Sequence, residues 1–123
     1  MIGPAALLLG SAACGSPSDP RGLLALWGET SLIGHHSHAR GRHGRALERL
    51  ERAHDRRRKQ AGERLAAFCD RDALERLDDE AAEAANEVYY TSGPTDDEEW
   101  ARLDRARYAL VRLTRRIAQE ERR

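Results

Sequence analysis

Apolar residues recur at alternating spacings of three and four in the second half of the chain. Two such series stand on either side of a short polar segment. The first series is Leu74, Leu77, Ala81, Ala84 and Val88, and the second is Leu103, Ala106, Leu110, Leu113 and Ile117. Residues three and four positions apart share one face of an α-helix. The pattern therefore predicts two amphipathic helices, each with one apolar face.

The polar segment between these series carries signals that end one helix and begin the next. Gly93 suits the position after a helix, where positive φ is favoured, and Pro94 prevents the helix from continuing. Thr95 and Glu98 have the spacing of a capping box at a helix N-terminus. A turn this short makes the two helices antiparallel neighbours. The fold class predicted is all-α, built on an antiparallel, coiled-coil-like helical hairpin.

Folding the chain about Gly93 pairs the two apolar series in a definite register. Leu103 is expected near Ala81 and Ala84, and Leu113 near Leu74. The same register sets the arginines of the last helix beside the acidic residues of 72–87. The apolar and charged patterns thus favour the same pairing of the two helices, although each exposed ion pair contributes only about 0.5 kcal/mol to stability.

A less regular helical segment precedes the hairpin. Its apolar seam is interrupted by a histidine and an arginine, in the order Leu47, Leu50, His54, Arg57, Ala61, Leu65 and Phe68. This segment has no partner within the hairpin. Either it folds back as a third helix, giving a small three-helix bundle, or it associates with a second copy of the chain. Residues 45–123 are predicted to form the helical domain, and residues 15–44 a flexible linker rich in Gly, Ser, His and Arg, following a disordered N-terminal segment.

The net charge of zero conceals blocks of opposite sign. Residues 35–64 contain ten basic and four acidic residues, whereas residues 65–100 contain two basic and twelve acidic residues. The basic residues of the first block recur at helical spacing along one face. The predicted anion-binding residues are Arg40, Arg42, Arg45, Arg49, Arg52, Arg56 and Lys59. The alternative is a solvated face without a partner.

Two kinds of partner fit such a basic face. Anionic lipid or an envelope polymer would be bound by charge alone. The alternative is a cytosolic helical module that binds nucleic acid through residues 40–59. Aromatic residues that would stack on single strands are missing from this segment, which favours the first partner.

Four of the five histidines fall in the stretch "GHHSHARGRHGR". The metal-ligand candidates are His35, His36, His38 and His43. Glycines loosen this backbone, arginines raise its positive potential, and no carboxylate lies between Glu29 and Glu48. We therefore expect no metal site and no cofactor, but a polycationic arm. A His-rich metal-binding protein remains a further alternative.

The first fourteen residues form a separate unit. No charged residue precedes Asp19, and the apolar run of residues 2–13 is too short to span a bilayer but fits a secretory signal. Small residues stand directly before Cys14, in "SAAC". This stretch resembles a bacterial lipoprotein signal, although Ser11 departs from that pattern and the Lys or Arg expected directly after Met1 is missing. The resemblance implies lipid attachment at Cys14 and a place in the cell envelope; the alternative is a cytoplasmic protein.

The remaining candidate chemistry is sparse. Cys69 in "LAAFCD" is predicted to be a small buried hydrophobic residue, and no disulfide is expected. Glu51 and His54 have the ExxH spacing of di-iron bundles, but arginines flank them. No activated nucleophile or phosphate-binding loop is recognisable. The sequence therefore predicts a small non-catalytic interaction or scaffold protein.

Overall fold

A computed structural model describes residues 14–15, 17–32, 42–92 and 96–123. Within these ranges the chain is all-α, as the sequence predicts. Its helices are α1 (Pro20–Glu29), α2 (Arg42–Leu65), α3 (Arg71–Ser92) and α4 (Asp96–Glu121). The described residues include no β-strand, and their one isolated bridge joins Cys14 to Cys69.

Helix α1 lies inside the segment that the sequence analysis assigned to a flexible linker, so that assignment was wrong for residues 20–29. Asp19 caps the helix by accepting a hydrogen bond from the Gly22 amide at 3.0 Å, and Pro20 occupies the first turn. Leu23 and Trp27 are buried, at 0% and 5% exposure. Burial of large side chains stabilises by roughly 1.5–3 kcal/mol each, which accounts for a ten-residue helix that would not be stable alone.

The most extensive helix packing in the described chain joins α1 to α4, α2 to α4 and α1 to α3. Helix α2 therefore folds back onto α4, as the three-helix alternative predicted. Helix α1 adds a fourth element, and it contacts both helices of the predicted hairpin. The predicted hairpin turn, Gly93 to Thr95, lies outside the described residues, but α3 ends at Ser92 and α4 begins at Asp96 on either side of it.

The larger core cluster draws on all four helices. Its buried members are Cys14, Leu23, Leu26, Trp27, Ala61, Leu65, Cys69, Leu74, Ala109, Leu110, Leu113 and Ile117. Leu74 and Leu113 belong to this cluster, and Phe68 and Leu77 pack against it. The pair α3 and α4 is not among the most extensive helix contacts of the described chain, so the register predicted between them stays a prediction.

A second, smaller core cluster contains Leu32, Leu47, Leu103 and Ala106. Leu103 was expected beside Ala81 and Ala84, but it packs with residues of α2 and of the segment after α1. The reason is that α2 covers this part of α4, a contact that the hairpin register alone did not include.

Cys14 and Cys69 form a disulfide, which corrects the expectation that the chain has none. The Gly15 amide also donates a hydrogen bond to the Phe68 carbonyl at 2.6 Å. These bonds fasten the residues before α1 to the α2–α3 connection. Next to them, Asp70 caps the N-terminus of α3 by accepting a hydrogen bond from the Asp72 amide at 3.0 Å.

None of the described helices combines the length and the apolar character that a bilayer span requires.

Candidate functional site

The cationic face of α2 is the first candidate site. We define it as Arg45, Arg49, Arg52, Arg56 and Lys59, all of which are exposed. At 100° per residue these side chains fall within an arc of about 80°. The buried residues Leu47, His54 and Ala61 lie on the opposite side of the same helix. Packing of α2 against the core therefore presents these cations to solvent together.

Few acidic groups neutralise the cationic face. Arg52 lies 3.9 Å from Glu48 one turn away, and both side chains are well exposed. Surface pairs of this kind contribute little, about 0–1 kcal/mol. Of the other predicted anion-binding residues, Arg40 lies outside the described chain, and Arg42 is placed only as the first residue of α2.

The second candidate site is a groove between α2 and α4, with a cavity volume of about 570 Å³. We call it the arginine groove. Its charged lining residues are Arg57, Arg64, Arg107, Arg115 and Asp104, and its apolar lining includes Ala61, Tyr108, Leu110 and Val111. Arg57 was predicted to lie in the apolar seam of α2, but it is exposed at this groove, and Arg58 occupies the buried position.

Arg58 is the centre of a buried polar cluster that the sequence analysis missed. The Arg58 side chain is 7% exposed as a residue, and its Nε donates to Thr30 Oγ1 at 2.8 Å. Its Nη2 donates to the Trp27 carbonyl at 3.3 Å and pairs with Asp78 Oδ1 at 2.5 Å. The guanidinium also lies 3.7 Å from the centroid of the Trp27 ring. Arg58 thus supplies a cation to the C-terminus of α1, where the helix dipole favours one.

His54 completes the buried cluster from the next turn of α2. Its Nε2 lies 2.6 Å from the Thr30 carbonyl oxygen, which can only accept, so this nitrogen carries the proton and donates. Burial lowers the pKa of His54, and Arg58 and Arg107 nearby lower it further, against the Thr30 hydrogen bond that raises it. His54 is therefore neutral at pH 7. Its Nδ1 has no hydrogen-bond partner among the described residues.

Glu51, the other member of the ExxH pair, has a different environment. Burial raises the pKa of Glu51 to about 7, and Glu99, Asp55 and Glu48 nearby contribute to the increase. This carboxyl therefore shares a region with other acidic groups, one of them on the facing helix α4. Among the described side chains, no three or more His, Cys, Asp or Glu residues are arranged to hold a metal ion. The metal candidates His35, His36 and His38 lie outside the described residues, and His43 is placed only by its backbone.

The disulfide bears directly on Cys14 as a lipid attachment site. Its sulfur is bonded to the sulfur of Cys69, and Cys14 is 2% exposed. A sulfur in a disulfide cannot also carry a thioether-linked lipid. In the structure as described, Cys14 is therefore not available as a lipid attachment site, and the two chemical fates exclude each other.

No family model matches the chain, and no curated protein or solved structure is significantly similar to it.

Proposed function

We propose that this chain is a small, non-catalytic helical interaction protein that binds anionic surfaces through the cationic face of α2. The observation that carries the proposal is the position of that face, with five exposed cations directly opposite the buried side of the helix. Each basic residue near an anionic lipid surface contributes about 1 kcal/mol. Several cations on one rigid helix therefore suffice for reversible attachment without any pocket.

The favoured location is the cell envelope. The Cys14–Cys69 disulfide supports this choice, because disulfides form and persist in oxidising compartments outside the cytoplasm. The apolar N-terminal residues with the features of a secretory signal agree with it. Anionic lipid headgroups and envelope polymers are the partners proposed in that compartment. A lipid anchor on Cys14 would require the disulfide to be absent.

The test is binding of the full chain to vesicles with and without anionic lipid. Replacing Arg49, Arg52 and Arg56 by Gln should weaken binding to anionic vesicles more than tenfold, since about 1 kcal/mol is lost for each charge. Wild-type binding should also decrease steeply with salt, because exposed charges are screened over about 8–10 Å. The readout is vesicle co-sedimentation at two salt concentrations.

A matched control removes the same charge from other exposed positions. Arg71, Arg76 and Arg105 are exposed and lie on α3 and α4. Their triple Gln variant should bind anionic vesicles within about twofold of the wild type. An equal loss of vesicle binding in the two triple variants would show that net charge alone decides binding. Binding of the wild type to uncharged vesicles would contradict the proposal. Tighter binding to duplex DNA than to anionic vesicles would favour the nucleic-acid alternative.

A further inference from the structure

The arginine groove shares no residue with the cationic face of α2 and differs from it in shape. Its volume of about 570 Å³ falls within the range of roughly 300–1,000 Å³ that is usual for small-molecule sites. A flat basic surface can hold an extended anionic polymer or membrane. A groove of this size can instead hold one small molecule.

Arginines are prominent in the lining of the groove. Arg57, Arg107 and Arg115 make no ion pair with any carboxylate in the described part of the chain. Arg64 is paired with Glu121, and Asp104 is the one acidic side chain in the lining. The guanidinium groups are therefore free to bind an anion, and their planar donors suit carboxylate or phosphate oxygens.

Apolar residues also line the groove, and on α4 they lie between Arg107 and Arg115. Leu110 and Ala61 form its buried floor, at 6% and 3% exposure. Val111 and Tyr108, at 47% and 67% exposure, are the large hydrophobic residues that the described structure leaves in solvent, and both line this groove. Apolar side chains exposed together beside a cavity mark a binding surface more often than scattered ones do.

The inner wall of the groove contains a second unusual feature. His54 is 1% exposed and lines the groove, and its Nδ1 has no partner among the described residues. Buried polar atoms without partners are few in native proteins. This nitrogen is an acceptor, because Nε2 carries the proton, so it does not contribute to holding an anion.

We propose that the arginine groove binds a single-chain anionic amphiphile, with a carboxylate or phosphate head held at one of the α4 arginines, Arg107 or Arg115, and an apolar tail against Leu110 and Val111 between them. Both parts of the lining are required for this ligand class. A small inorganic anion would leave the apolar floor in water, and a neutral lipid would leave the guanidiniums without an anion. The site is independent of the cationic face.

The experiment measures binding of straight-chain carboxylates and of decyl phosphate to the full chain by calorimetry, below the concentration at which the ligands form micelles. Affinity should increase about two- to fourfold for each CH₂ added between butyrate and decanoate, as expected for tail burial. Decanol should bind at least tenfold more weakly than decanoate. Comparison of decanoate with decyl phosphate identifies which head is preferred.

Variants locate the binding at the groove. The double variant Arg107→Gln and Arg115→Gln should weaken decanoate binding at least tenfold. The matched control, Arg105→Gln with Arg122→Gln, removes two charges from exposed positions at the same end of the chain and should change affinity less than twofold. Circular dichroism checks that both variants remain helical.

Several outcomes would overturn the inference. The first two are equal affinity for butyrate and decanoate, and equal affinity for decanol and decanoate. The others are an equal loss of decanoate affinity in the two double variants, and tighter binding of a nucleoside monophosphate than of decanoate. The Gln variant of Arg49, Arg52 and Arg56 separates this site from the proposed function. It should lose vesicle binding but retain decanoate binding, whereas failure of the groove would leave vesicle binding intact.

Discussion

Arg58 shows how one buried cation can organise three helices. Its guanidinium contacts the end of α1 at the Trp27 carbonyl and at Thr30, and it pairs with Asp78 on α3. Burial of a charge is costly unless the charge is paired and hydrogen-bonded. Here the pairing is nearly complete, because a carboxylate, a hydroxyl, a carbonyl and an aromatic face surround the group. The cluster therefore holds the orientation of α1 relative to α2 and α3.

The prediction at this scale concerns the carboxylate partner of Arg58. Asp78→Asn should lower the free energy of unfolding by about 1.5–3 kcal/mol, because a hydrogen bond between charged groups is lost and the buried cation remains. Asp79 is exposed and adjacent, so Asp79→Asn is the matched control and should change stability by less than about 0.5 kcal/mol. Denaturant unfolding monitored by circular dichroism gives both values. Similar effects of the two substitutions would mean that the pair does not stabilise the fold.

The sequence pattern alone does not decide whether Arg57 or Arg58 is the buried arginine of α2. Both positions are compatible with a helical seam that drifts at 3.6 residues per turn. What decides between them is α1, since Trp27 and Thr30 supply the acceptors that make burial of Arg58 tolerable. His54 was correctly placed on the seam, because its position follows from the leucines one and two turns away.

At the scale of elements, α2, α3 and α4 followed from the spacing of apolar residues, and the end of α3 and the start of α4 followed from the turn residues between them. Helix α1 was missed, although Asp19 and Pro20 form a recognisable helix start before Leu23 and Trp27. Ten residues give too few turns for a periodic pattern to be convincing. The stability of α1 comes from tertiary contacts, which the sequence pattern does not contain.

Trp27 also explains a glycine that local propensity disfavours. Gly62 lies inside α2, where glycine costs about 1 kcal/mol relative to alanine. A Cβ at this position would lie 2.7 Å from Cη2 of the Trp27 ring. The ring is rigid and buried, so the backbone of α2 approaches α1 closely only because residue 62 has no side chain.

Two glycine substitutions test this account of the α1–α2 contact. Gly62→Ala should lower the melting temperature, because the clash with Trp27 outweighs the gain in helix propensity; overpacking of this kind costs about 1–3 kcal/mol. Gly28→Ala in α1 should raise stability by roughly 0.5–1 kcal/mol, because a Cβ there meets no atom within 4 Å. Thermal unfolding of both variants decides the question. A stabilised Gly62→Ala protein would place Trp27 elsewhere.

At the scale of the whole molecule, the disulfide closes a loop that contains both α1 and α2. The two cysteines are 55 residues apart in sequence. Closing a loop of this length reduces the entropy of the unfolded chain by an amount worth about 4 kcal/mol in the loop-closure model. This pairing does not follow from the sequence pattern, because Cys14 stands in a signal-like segment and Cys69 is predicted as a buried hydrophobic residue. Only the position of α1 brings the two residues together.

The disulfide and a lipid anchor make opposite predictions for the two cysteines. If the cysteines form a disulfide, Cys14→Ala and Cys69→Ala break the same bond and should lower the free energy of unfolding by a similar amount, about 2–4 kcal/mol. The double variant should then be little less stable than either single variant, and a reducing agent should destabilise the wild type alone. Denaturant unfolding with and without reductant measures all of these effects.

A lipid anchor would instead show as lipid label in wild type and Cys69→Ala but not in Cys14→Ala, with a stability that reductant does not change. One sulfur cannot be in both bonds. Lipid label on the wild-type protein would therefore show that the disulfide is absent, and residues 14–15 would lose the main contact that holds them against the α2–α3 connection.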